Sequence, residues 1–330
     1  MPLSLFIRLR PVSAWRIGPD SGDRDRVDRI FHSDSLYSAV SSAMAQLGML
    51  DRWLDATART PEPAVRFSSC FPYQGDSRMI TPPRNLWPPA PSAKVRWKGA
   101  RFIPQRVVEM ILNGRSVDED AWMVDGPSEC LVPQGGSSPF RVTVRSAAAV
   151  DREGSSVAPH SSACLEFAPE AGLWAVAVFA SDEARTEWDQ AVRSAFRLLG
   201  DSGVGGERSR GWGRFEASFT DESLEAPVPV DGSAESAWWL LSLYHPATDD
   251  ATDWARGNYT LTARGGRIES SAGWGEGKRA TRMVTEGSVV ISASQPRGAA
   301  VDVAPEGFAH PVYRAGFAVC LPIPLKGEHA

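Results

Sequence analysis

The 330-residue sequence is poor in the side chains that metal, disulfide and acid–base chemistry draw on, with four cysteines and five histidines. Cys70, Cys130, Cys164 and Cys320 are widely scattered, with no C-x-x-C and no neighbouring His-x-His. Neither a zinc site nor a disulfide framework is indicated; reduced structural thiols, no metal and no cofactor are the expectation. No apolar run reaches spanning length, and MPLSLFIRLRP is too short and too soon interrupted by arginine for a signal peptide, which points to the cytoplasm and away from a membrane. Positive charge is not in excess either. A formal net charge of −5 taken alone argues against a generic nucleic-acid binder.

Glycine, by contrast, is concentrated. Residues 200–215 read GDSGVGGERSRGWGRF, six glycines among three arginines. A phosphate-cradling P-loop needs G-x-x-x-x-G-K-[ST], but Gly205 is followed by Gly206 and Glu207, with no lysine and no magnesium-binding hydroxyl. A dinucleotide fingerprint needs G-x-G-x-x-G between a strand and a helix, and here the glycines follow a helix. That helix is read from Trp188, Val192, Ala195, Phe196 and Leu199, with Ser181 as cap and Gly200 as stop. One or two glycines suffice to end a helix and turn the chain. The surplus predicts exposed backbone amides forming an anion-binding concavity, with charge from Arg208, Arg210 and Arg214 and a stacking face from Trp212.

A second basic stretch, KVRWKGARFIPQR, holds Lys94, Arg96, Lys98, Arg101 and Arg106 without an acidic residue, interleaved with Trp97 and Phe102. Cations neutralise phosphates and aromatics stack on bases, so this is a single-strand footprint on an otherwise acidic chain, or else a solvated strand face. A third cluster, GKRATR at Gly277–Arg282, reads more readily as a charged loop. Asp23, Asp25 and Asp28 read as a solvated acidic loop rather than a metal nuclease centre.

At this length the chain more naturally forms two domains than one. SLFIRLRPV alternates as a strand, and FHSDSLYSAVSSAMAQLGML carries Leu36, Val40, Ala43, Met44 and Leu47 on one helical face with Ser33 as N-cap. From Phe71 to Pro91 the prolines exclude a central strand or helix, so this segment and the basic stretch behind it read as an insertion projecting from the core. PFRVTVRSAAAV and GLWAVAVFA are strands, followed by the Glu183–Leu199 helix, the glycine loop and a strand ending at Phe219. The order β-α-β-β-α-β predicts a ferredoxin-like (RRM-like) domain over 1–220, with the insertion at about 70–110. A polar linker at 221–235 precedes a domain at 236–330, read as a β-rich, degraded version of the same α+β fold. Its strands are AWWLLSLYHP, a hairpin in GNYTLTARGGRIES around Gly265–Gly266, MVTEGSVVIS and YRAGFAVCLPI, with no long helix.

Lined up in order, several segments resemble the RAMP superfamily of CRISPR effector complexes. More narrowly, the chain is similar to the fourth subunit of type III-A (Csm) complexes, which caps the 5′ handle of the guide RNA. The resemblance is carried by His32-Ser33-Asp34 at the helix start, FPY and its proline-rich sequel, KVRWKGARFIP, Arg145, Asp151-Arg152, the glycine loop, and HPVYRAG at His310–Gly316. One departure is Glu153-Gly154, where the family usually has threonine-glycine. The resemblance implies two ferredoxin-like folds, crRNA binding without catalysis, and docking between the large polymerase-like subunit and the first copy of the backbone RAMP subunit. It assigns RNA contact to His32, Ser33, Lys94, Arg96, Lys98, Arg101, Arg152, Gly205, Gly206, Arg208, Ser209, Arg210, Gly211 and Trp212. The competing class is enzymatic, since other RAMP proteins cut repeat RNA. His32 as general acid/base is its candidate, but no second histidine or tyrosine stands at a spacing that completes the pair.

Overall fold

The computed structural model describes residues 3–19, 23–89, 95–150, 157–227, 236–270 and 273–324. The N-terminal part begins β1 (Ser4–Pro11), α1 (Ser33–Gln46), α2 (Leu50–Ala56), β2 (Val65–Phe67), β3 (Phe71–Gln74) and β4 (Ser77–Ile80). It continues β5 (Ile103–Pro104), α3 (Gln105–Leu112), β6 (Trp122–Asp125), β7 (Cys130–Pro133), β8 (Phe140–Val150) and β9 (Val157–Phe167). It closes with β10 (Ala171–Phe179), α4 (Asp182–Ser202) and β11 (Phe215–Asp221). The principal sheet runs β11-β1-β10-β3-β4-β5, with β2 also on β10, and all its pairs are antiparallel.

Alternation builds this sheet. Leu5, Ile7 and Leu9 of β1 are buried, as are the α1 residues Leu36, Val40, Ala43 and Met44. In α4, Trp188, Val192, Ala195, Phe196 and Leu199 are buried at helical spacing, and the Ser181 hydroxyl accepts from Ala184 N at 3.2 Å as the expected cap. On another part of the sheet, Phe6 and Trp174 stack at 5.8 Å and line a small cavity with Trp239, Leu241 and Leu321 of the C-terminal part. One apolar core therefore crosses the chain's midpoint.

The C-terminal part is β12 (Ser236–Leu240), β13 (Thr252–Asn258), β14 (Leu261–Arg264), β15 (Arg267–Ser270) and β16 (Gly273–Gly277), then β17 (Thr281–Val284), β18 (Val289–Ser292), β19 (Ala300–Asp302), β20 (Tyr313–Ala315) and β21 (Cys320–Ile323). Four of these form an antiparallel sheet ordered β13-β18-β12-β21. Among the described residues beyond 235 there is no helix. The whole is an α+β protein of few helices and mainly antiparallel strands.

Several local expectations are corrected. FPY is no projection: β3 pairs with β10, and Phe71 and Tyr73 are buried. Pro72 is tolerated because the ladder from β3 to β4 begins only at Tyr73, so the proline lies beside one neighbouring strand. The strand at PFRVTVRSAAAV is not part of the principal sheet; β8 pairs with β9 over its whole length in a separate hairpin, Phe140 opposite Phe167 and Val150 opposite Val157. Alternation predicts a strand but not its partner, and Val144 is 58% exposed. Gly200 does not stop α4, which runs to Ser202 and ends at Gly203 with φ +82°. A side chain at Gly200 would collide with the Phe215 carbonyl. No hairpin closes at Gly265–Gly266 either: β14 pairs with β17 and β15 with β16.

Candidate nucleic-acid interface

The glycine loop is shaped by the chain's own approach. Gly203, Gly205 and Gly213 have φ of +82°, +76° and +79°, and a side chain at each would meet the carbonyls of Trp212, Arg16 and Val204 respectively. Gly206 lies against the Arg16 side chain and donates its amide to Arg16 O at 2.8 Å. The amides of Gly203, Val204, Arg210, Gly211, Trp212 and Gly213 are also donated to backbone carbonyls. The cradle of exposed amides anticipated from composition is therefore largely spent inside the protein. Arg16, which the sequence did not single out, is buried beneath the loop and donates to the carbonyls of Asp23, Arg24 and Ala163 at 2.7, 2.8 and 3.1 Å.

Side chains are what the loop presents outward. Arg208, Ser209 and Arg210 form an exposed 3₁₀ turn, framed by the left-handed residues Glu207 (φ +61°) and Gly211 (φ +78°). A side chain at Gly211 would meet nothing within 4 Å, so here the backbone itself is open. Arg210 pairs with Glu207 at 3.1 Å and donates to His160 Nε2 at 3.0 Å. Arg145 lies 5.6 Å from the half-buried Trp212 ring and, with Arg141, shares the Glu166 carboxylate. The β8–β9 hairpin thus leans on the loop, giving a surface of cations around one indole. Arg141 and His160 join this surface only through the fold, since their positions in a hairpin carry no sequence signal of their own.

The basic insertion is less open than anticipated. Trp97 and Phe102 are buried; Trp97 stacks on Trp87 at 5.2 Å, so neither ring offers a face to a base. Lys98 is exposed, and Arg101 is bound to Asp28 at 3.1 Å. Arg96 belongs to a 3₁₀ turn over Val95–Gly99. Lys94 and Arg152 lie outside the described residues.

His32, Ser33 and Asp34 are all buried at the start of α1 and bind the C-terminal part. His32 Nδ1 is 2.7 Å from Glu286 and Nε2 is 3.2 Å from Asp28, so the expected acidic loop contributes a partner rather than a solvated charge. Burial would lower the histidine pKa, but the two carboxylates outweigh it and raise it from 6.5 to about 9. Ser33 is not the helix cap: His32 occupies that position, and the Ser33 hydroxyl accepts from Leu243 N at 3.0 Å. Asp34 binds Arg264 through two hydrogen bonds of 3.0 Å and also pairs with Arg314, which hold its pKa at about 2 against the opposing effect of burial. These three residues join the N-terminal and C-terminal parts of the chain.

Residues 233–323 match the Csm4 C-terminal domain family, a stretch that contains both Arg264 and Arg314. Over 98% of its length the chain is also 24% identical to 98% of the CRISPR system Csm4 protein of Thermococcus onnurineus (strain NA1). The chain is thus similar to Csm4 proteins along nearly its whole length. Among solved structures it is similar to a chain of the Csm3–Csm4 subcomplex of the type III-A interference complex, with 17% identity, TM-score 0.65, and 97% of this chain and 100% of that one covered. A chain of the Csm1–Csm4 cassette with pppApA is similar at 18% identity and TM-score 0.61, covering 98% of this chain and 99% of that one. At such identity these two likenesses speak for the fold. The family's C-terminal segment and the HSD helix start, 280 residues apart in the Asp34–Arg314 pair, meet in one buried ion pair.

Proposed function

We propose that this protein is a non-catalytic subunit of a type III-A CRISPR interference complex. It binds the repeat-derived 5′ handle of crRNA and bridges the large polymerase-like subunit to the first backbone subunit, in the cytoplasm. The observation that carries the RNA reading is the exposed Arg208–Ser209–Arg210 turn set against Trp212, Arg145 and His160. Cations there neutralise phosphates without reading sequence, and an indole stacks on any base. Relatives named for assemblies with Csm1 and Csm3 support the bridging role.

We also infer that each half is ferredoxin-like, with a boundary near the 221–235 linker. In the N-terminal sheet the first, third and last core strands are β1, β10 and β11, and the order β11-β1-β10 followed by β2 and β3 is the 4-1-3-2 arrangement. Numbering β12, β13, β18 and β21 as one to four gives 4-1-3-2 again, without crossing helices among the described residues. The state of His32 speaks against the endoribonuclease reading. An imidazole raised to about 9 is already protonated near neutral pH, and both its nitrogens are bonded to carboxylates.

The test is to purify the tagged protein gently from its host and sequence both ends of the RNA that accompanies it. A uniform, short, repeat-derived 5′ end with partner subunits present is expected. Replacing Arg208→Ala together with Arg210→Ala should cut the RNA content and lower the salt slope of binding by about 2 while leaving the fold intact. Absence of RNA, or repeat precursors that the lone protein cleaves, would overturn the proposal.

A further inference from the structure

Three cations converge on the turn at Gly265–Gly266. Arg264, at the end of β14, forks onto Asp34 and also donates to the Ser35 hydroxyl at 3.2 Å. Arg314, on β20, donates to Asp34 and to the Gly265 carbonyl, while its Nε is buried without a hydrogen-bond acceptor among the described residues. Lys278 donates its backbone amide to Gly266 O at 2.8 Å and is half-buried, and its ammonium makes no ion pair among the described residues. Burial and the neighbouring Arg314 and Arg264 guanidiniums hold the Lys278 pKa below the ordinary lysine range, with Asp34 opposing them.

Positive charge is thus gathered around Asp34, the carboxylate that Arg264 and Arg314 share among the described residues, in a partly desolvated place, where a further anion would meet cationic donors. The adjacent positive end of α1, a 14-residue helix, adds to the same sign. The neighbouring carboxylates Glu286 and Asp28 are engaged elsewhere, by His32 and, for Asp28, also by Arg101. The turn is open to a ligand, since a side chain at Gly265 would meet nothing within 4 Å.

We propose that Lys278, Arg314 and Arg264 form an oxyanion site at the start of α1 that takes a phosphate of the bound RNA. The site gives GKRATR, a charged loop by sequence, a binding role in which the second domain contributes contacts that the glycine loop does not. The inference rests on the RNA reading above, and its test separates the two.

Lys278→Met keeps the aliphatic stem and removes only the charge. Melting of the full chain is compared in inorganic phosphate and in chloride at equal ionic strength, and affinity for a handle-sequence RNA is measured alongside. Phosphate is expected to raise the wild-type Tm above its value in chloride, and Lys278→Met to abolish the difference. The same variant should weaken RNA binding by five- to tenfold and lower the salt slope by about 1. No phosphate-specific shift together with unchanged RNA affinity overturns the site, even if the Arg208→Ala, Arg210→Ala variant loses RNA and so keeps the RNA reading. A phosphate shift in a protein that binds no RNA overturns the assignment to RNA. Loss of large-subunit binding with RNA affinity intact also overturns it, by giving the site to an acidic protein surface.

Discussion

His32 is a group whose protonation state the fold enforces. Lifting its pKa from 6.5 to about 9 corresponds to roughly 3 kcal/mol of folded-state stability. Because the folded value is the higher one, this contribution is complete below about pH 6.5 and is lost as pH rises through about 9. Asp34 has the opposite sign: its folded value of about 2 lies below the ordinary 3.8, so its contribution is present above 3.8 and fades as pH falls through about 2. In chemical denaturation, His32→Gln should cost on the order of 3 kcal/mol at pH 6, and the difference from wild type should shrink toward pH 9.5. A difference independent of pH over that range would show that folding does not raise the imidazole pKa.

At the scale of elements, the glycine loop owes its composition to two distinct demands. Gly213 combines φ +79° with a neighbour, the Val204 carbonyl, that leaves no room for a side chain. Gly211 has φ +78° in open space. Replacing Gly211→Ala should cost about 1 kcal/mol, the penalty of the left-handed conformation alone. Gly213→Ala should cost several-fold more, because the backbone must shift as well, and thermal melting of the two variants measures the contrast. Equal losses would mean that the self-packing of the loop is not what its glycines serve.

Across the whole molecule, the two halves are tied by the HSD segment and by a continuous core. Tyr37 and Phe317 meet edge-on at 5.6 Å, Trp239 donates to the Thr81 carbonyl at 3.1 Å, and Ser69 N donates to Leu241 O at 2.9 Å. Unfolding should accordingly be a single transition by both tryptophan fluorescence and far-ultraviolet circular dichroism. Asp34→Asn removes the buried carboxylate that Arg264 and Arg314 share, and should lower stability by about 3–5 kcal/mol, an order-of-magnitude expectation for a broken buried pair. Hydrogen exchange should then rise in α1 and in β14 and β20 together; deprotection confined to one half would contradict a shared unit.

Local pattern was enough to place β1, α1, β10, α4 and β11, because each carries a period that its buried residues obey. The charged turn Arg208–Arg210 was also legible, since arginines flanked by glycines have little reason to be in a core. Pairing was not legible: whether Phe71–Gln74 or Phe140–Val150 joins the principal sheet depends on partners distant in sequence, and alternation is the same for both. The sequence by itself determined those five elements, the glycine loop and the family likeness of the ordered motifs. Only the tertiary structure decided that Trp97 and Phe102 are core, that His32 and Asp34 bind Glu286, Arg264 and Arg314, and that the Lys278 amide binds Gly266. Burial and ion pairing are properties of distance in space, and these partners stand more than 200 residues apart in the chain.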